Sequence, residues 1–153
     1  MKHLTTTILL TLLMSMGAWS EEDMISLNDY LKQHEEFDMN NVFYVYARCS
    51  AVNNKVYVLS KDSEKFKDTL AEPSLRMYER FYVEAGNVLM EIKGKRAKEI
   101  SENLKATITG MIDEYTTMSN KLFIKTGTYF TESMTEDTSI CNQVFIDTFA
   151  KDT

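Results

Sequence analysis

Residues 42–59 read VFYVYARCSAVNNKVYVL, and the fold turns on whether this stretch is a helix or a hairpin. Composition favours a pair of strands: valine and tyrosine suit pleated backbone, and Asn53-Asn54 suits the turn between them. Periodicity favours a helix. Val42, Val45, Cys49, Val52, Val56 and Leu59 recur at alternating spacings of three and four, which places all of them along one side of a helix. Strand alternation also breaks at Ala47-Arg48-Cys49. The spacing therefore predicts a helix, with a hairpin near residues 42–59 inside an α+β fold as the alternative.

The same rhythm continues outward. Leu75, Tyr78, Phe81, Ala85, Val88 and Ile92 make a second stripe. Ala97, Ile100, Leu104, Ile108, Met111, Tyr115, Met118 and Leu122 make the longest, and Cys141, Val144, Phe145 and Thr148 outline a shorter last one. Pro73 suits the first turn of the second helix, and Gly94 suits its end, with Lys93, Lys95 and Arg96 at the negative pole. Ser133 with Glu136, or alternatively Asp137, is a candidate cap for the last helix. No cap clearly opens the third helix, which could instead continue the second through a kink at Gly94. Ahead of the stripes, Leu27-Tyr30-Leu31-His34 after Ser26 is a shorter amphipathic piece. Phe123-Ile124-Lys125 and Thr128-Tyr129-Phe130 read as short extended pieces flanking Gly127.

Only 5 Gly and 1 Pro punctuate the 153 residues, which favours few, long elements. Four stripes on one short chain bury themselves most simply as an all-α, antiparallel four-helix bundle.

The N-terminus adds a compartment. Lys2 precedes the apolar run Ile8–Met16, and Ala18-Trp19-Ser20 places small residues at −3 and −1 of a cut before Glu21, with Met16-Gly17-Ala18 a weaker second site. That order is the pattern of a secretory signal peptide over residues 1–20. The apolar run falls well short of the ~20 residues that span a bilayer, and no cysteine nearby offers a lipid attachment point. Residues 21–153 are then a single exported domain, periplasmic or secreted, with no membrane span in the mature chain. The net charge of −6 grows one unit more acidic when Lys2 is removed, which argues against nucleic acid as a partner.

Export gives meaning to the 2 cysteines. In an oxidising compartment Cys49 and Cys141 are expected to pair, joining the first and last helices of the bundle. Those helices are neighbours in an up-down-up-down arrangement. Closing so long a loop is worth about 4–5 kcal/mol in the chain-entropy model.

Chemistry is harder to find. Outside residues 1–20 the only histidine is His34, which rules out a zinc site built on paired His and a di-iron centre of Glu-X-X-His motifs. His34-Glu35-Glu36-Phe37-Asp38 reads as a solvated helix end rather than a metal site. There is no Cys-X-X-Cys pair, glycine-rich phosphate loop, EF-hand loop or Gly-X-Ser-X-Gly elbow. Asp113-Glu114, Glu84 with Glu91, and the basic run Lys93–Lys98 read as ordinary helix surface. No catalytic, cofactor-binding or metal-binding residue is assigned, and no cofactor is expected. What remains is a surplus of rings, with Phe43, Tyr44, Tyr46, Tyr78 and Tyr82 as a candidate contact face. The sequence predicts a non-enzymatic protein acting by protein–protein contact, as an inhibitor, adaptor or chaperone-like factor. The alternative is a periplasmic carrier of a small apolar ligand.

The segment Tyr44-Val45-Tyr46-Ala47-Arg48-Cys49, with Ser139-Ile140-Cys141 near the end, resembles a loose group of small secreted or periplasmic helical proteins of marine proteobacteria. The resemblance covers the N-terminal leader, the Arg-Cys segment and the general helical pattern. It implies export and a helical fold, and it carries no activity or functional residue with it.

Overall fold

In the computed structural model, which describes residues 24–34, 38–94 and 97–149, residues 42–59 are helical throughout. The signal-peptide reading of residues 1–20 lies outside the described residues. Helix α1 covers Leu27–Gln33 and α2 covers Met39–Ser60. A single π-helical turn, Lys67–Ala71, runs into α3 at Glu72–Lys93. Helix α4 spans Ala97–Thr126, and α5 spans Glu132–Phe149. Among the described residues there is no strand, so the hairpin alternative for residues 42–59 is excluded. Tertiary burial overrides the β-propensity of the valines and tyrosines there.

The helix ends follow from local chemistry. Asp38 caps α2, its Oδ1 accepting from the Asn41 N–H at 2.9 Å. Pro73 sits in the first turn of α3, and Gly94 closes it in a left-handed conformation (φ 54°) while its N–H bonds the Met90 carbonyl at 2.8 Å. Helix α3 therefore stops at Gly94 rather than continuing into α4. Two expectations need correcting. The cap of α5 is Thr131, whose Oγ1 accepts from the Met134 N–H at 3.1 Å. Ser133 and Asp137 lie inside that helix. Phe123-Ile124-Lys125 belongs to α4 instead of forming an extended piece, and Thr128-Tyr129-Phe130 follows without regular structure. The helical pairing of α4 simply persists one more turn, until Gly127 at φ 75° ends it.

The four long helices form the antiparallel bundle, and α2 is its centre. Residues Ala47 to Asn53 are buried without interruption, around the whole circumference of α2. Small side chains at Ala47, Cys49, Ser50 and Ala51 let neighbouring helices approach there. Helices α3 and α5 run antiparallel to α2: Ser50 reaches the Tyr78 carbonyl at 3.3 Å, and Tyr46 lies against both Phe81 and Phe149. Phe81, fully buried, anchors this side with Phe145 and Phe149 at ring separations of 6.0 and 5.7 Å. Helix α4 contributes Ile100, Leu104, Ile108 and Tyr115 from the opposite side. The Cys49–Cys141 disulfide joins α2 to α5, the first and last of the long helices, with its Cα atoms 5.3 Å apart. No helix among the described residues is long and apolar enough to cross a membrane.

Candidate functional site

Two features stand out from this frame, a sealed polar centre and an open groove. The polar centre begins with Arg48. It is the only charged residue between Met39 and Asn54, and the all-round burial of α2 leaves its side chain no route to water. It is compensated across the core. Its Nη2 and Nε donate to Asp137 Oδ2 at 2.7 and 2.9 Å, and both partners are fully buried. Nε also lies 3.0 Å from the Tyr115 hydroxyl, Nη1 donates to the Tyr44 hydroxyl at 2.9 Å, and Tyr115 itself donates to Asp137 Oδ2. The second carboxylate oxygen accepts the backbone N–H of Leu27 at 2.6 Å, which seats α1 on α5. Four elements, α1, α2, α4 and α5, thus meet at one carboxylate in a region with no solvent access.

Electrostatics reinforce the pair. Burial works to lower the affinity of Arg48 for its proton, but Tyr115, Asp137 and Tyr44 outweigh it and hold the guanidinium above its ordinary value. Burial, aided by the Asp137 charge, pushes the Tyr115 hydroxyl well up, so it stays protonated and can donate. From Tyr44 the network reaches the surface as a stack: Tyr30 lies 4.0 Å from Tyr44 and 4.1 Å from His34, and the Tyr30 hydroxyl donates to Asn41 Oδ1 at 2.6 Å. No substrate could touch Arg48 or Asp137 without opening the core. The arrangement serves to lock three helices and α1 together.

Two further buried polar groups belong to α2. Lys55 is nearly buried, with its Nζ on Thr116 Oγ1 at 3.2 Å, and burial lowers its pKa. Asn53 donates to the Cys49 carbonyl at 2.9 Å, yet its Oδ1 is buried without a partner.

The groove lies on the other side of α5. It has a volume of about 650 Å³ and opens where the π-turn and the start of α3 face the first half of α5. Val56 of α2 lies at its base, while Phe66, Leu70, Pro73 and Met77 supply one wall. The facing wall is Thr135, Thr138, Ser139 and Asn142, and Phe130 stands beside it. One turn beyond Met77 and Asn142, the same two helices are closed by the Phe81–Phe145 contact. At the other end Phe66, Leu70 and Phe130 remain 37–39% exposed, so the mouth is apolar.

The expected contact residues are all half-buried but attach to different neighbours. Tyr44 belongs to the stack above Arg48, and Tyr46 packs on Phe81 and Phe149. Phe43 lines a smaller hollow with Leu89 and Ile92. Tyr78 and Tyr82 meet edge to face at 6.0 Å. None of the five lines the 650 Å³ groove. His34 and Asp38 end α1 and begin α2, and Glu35 to Phe37 lie outside the described residues. Among the described residues no three metal-ligating side chains come together. Glu84 is held by Arg80 at 3.1 Å, and Asp113, Glu114 and Glu91 are exposed. No protein-family model, curated protein or solved structure matches this chain.

Sequence reading assigned no role to Arg48, Asp137 or Tyr115 as a group, nor to the groove. For the first there was a signal: a lone cation in an otherwise uncharged stretch, beside Cys49, with Asp137 one helical turn before Cys141. If the cysteines pair, those two charges must come close.

Proposed function

We propose that this is an exported, non-catalytic carrier that holds a small apolar molecule in the groove between α3 and α5. The carrying observation is the groove itself. Its volume of about 650 Å³ falls within the range of small-molecule sites, and its lining divides between six apolar side chains and six that carry only neutral polar groups. The leader-like N-terminus supports export, and the disulfide suits an oxidising compartment. The reading asks no reaction of the protein, and the buried ion pair holds one wall of the groove, α5, against α2.

Native mass spectrometry of protein recovered from the periplasm or medium tests it. A retained adduct of a few hundred daltons that is lost on denaturation is expected, as is a mature N-terminus at Glu21. Protein that emerges empty and fails to bind an uncharged dye such as N-phenyl-1-naphthylamine would overturn the carrier reading.

One observation favours protein contact as a second reading. Ile124 is 84% exposed at the end of α4, and Phe123 beside it is 40% exposed. Ile124→Glu separates the two readings. It should abolish capture of a protein partner if contact is the function, and leave dye binding unchanged if the groove is.

A further inference from the structure

The groove also carries information about what it would hold. Among the described residues that line it, none is Asp, Glu, Lys, Arg or His. The hydroxyls of Thr135 and Thr138 are already committed, donating to the Thr131 and Met134 carbonyls at 3.1 and 2.6 Å. They offer a ligand only acceptor lone pairs. The remaining polar groups are the hydroxyls of Thr69, Ser74 and Ser139 and the amide of Asn142, all neutral. Along α5 the wall runs from Thr135 to Asn142, about 10 Å at the helical rise per residue.

A charged head group entering such a site would shed water and find no counter-ion, whereas a hydroxyl or amide would find both donors and acceptors. We propose that the groove selects uncharged, single-chain amphiphiles and discriminates against fatty acids and cationic lipids of the same tail length. This inference rests on the carrier reading and sharpens it to a ligand class.

The test uses the full chain expressed with its own leader and purified oxidised. Bound N-phenyl-1-naphthylamine is displaced at pH 7.5 by three competitors that share one tail: 1-dodecanol, dodecanoate and dodecylammonium. Dodecanol is expected to compete at concentrations at least ten-fold lower than either charged analogue. Ser139→Arg, at an exposed position on the groove wall, should raise competition by dodecanoate at least ten-fold and leave the helical content unchanged. Thr138→Trp should narrow the groove and weaken dye binding at least ten-fold while keeping the native circular dichroism spectrum. Equal or tighter competition by dodecanoate would overturn the selectivity and leave the carrier reading standing. Absence of dye binding to the wild-type protein, or undiminished binding by a folded Thr138→Trp, would overturn both.

Discussion

Replacing Asp137 by Asn keeps the shape of the side chain and removes its charge, so it isolates what the buried pair contributes. The carboxylate accepts from the Leu27 N–H, from Arg48 Nε and Nη2, and from the Tyr115 hydroxyl. An amide has only one oxygen. Turned toward Arg48, it points its own N–H groups at Leu27; turned the other way, it points them at a guanidinium. Either orientation loses at least one charge-assisted bond and leaves Arg48 buried without a counter-ion. Breaking a buried pair in this way costs about 3–5 kcal/mol, against a total stability of ~5–15 kcal/mol for a typical domain. The midpoint of thermal unfolding should fall by about 10–20 °C. Urea unfolding followed by far-ultraviolet circular dichroism, with the disulfide kept oxidised, measures the loss. The double variant Arg48→Met/Asp137→Leu should recover most of it, because removing both partners also removes the unpaired charge. A loss below about 1 kcal/mol for Asp137→Asn would refute the premise that the cluster is a sealed, mutually dependent unit.

Lys55→Met is expected to stabilise the protein near pH 7, by on the order of 1 kcal/mol, because it removes a buried ammonium that has only a neutral partner. The pKa of Lys55 is lowered on folding, so the penalty is full below the folded value and is relieved as pH rises toward the unfolded one. The advantage of the variant should shrink with rising pH, and denaturant titrations at pH 7 and pH 10 measure this. Cys49→Ala/Cys141→Ala should lose about 2–5 kcal/mol in the same unfolding assay while keeping its helical spectrum at 10 °C. Phe81→Ala, which empties the ring cluster shared by α2, α3 and α5, should cost about 3–5 kcal/mol. Thr131→Ala should cost only about 1 kcal/mol, the ordinary value of a helix cap.

The stripes that identified the helices also located much of the core. Val45, Cys49, Val52 and Val56 of α2, Phe81, Ala85 and Val88 of α3, and Ile100, Leu104, Ile108 and Tyr115 of α4 are buried as their spacing requires. The stripe model failed in one respect: it treats a helix as having an outside. Helix α2 has none between Ala47 and Asn53, so Arg48, Ser50 and Asn53 are buried although they lie off the stripe. Periodicity reports only the apolar residues and is silent about polar ones buried by a fourth neighbour. The groove was illegible for a different reason. Its walls come from α2, the π-turn, α3 and α5, and its apolar rim at Phe66, Leu70 and Phe130 lies in connections where no repeat can be read. A π-helical turn has no periodic signature in so few residues, and Phe130 belongs to the piece Thr128-Tyr129-Phe130 that sequence alone reads as extended.

The bond between Cys49 and Cys141 has a topological meaning as well as an energetic one. It converts residues 49–141 into a closed ring, with α1 and the first half of α2 outside it at one end and the last turns of α5 at the other. A protease that cuts once anywhere between the two cysteines, for example beside Gly94, releases no fragment until a reductant is added. A chain cut once at the α3–α4 connection still holds α2 and α3 on one side and α4 and α5 on the other through that bond.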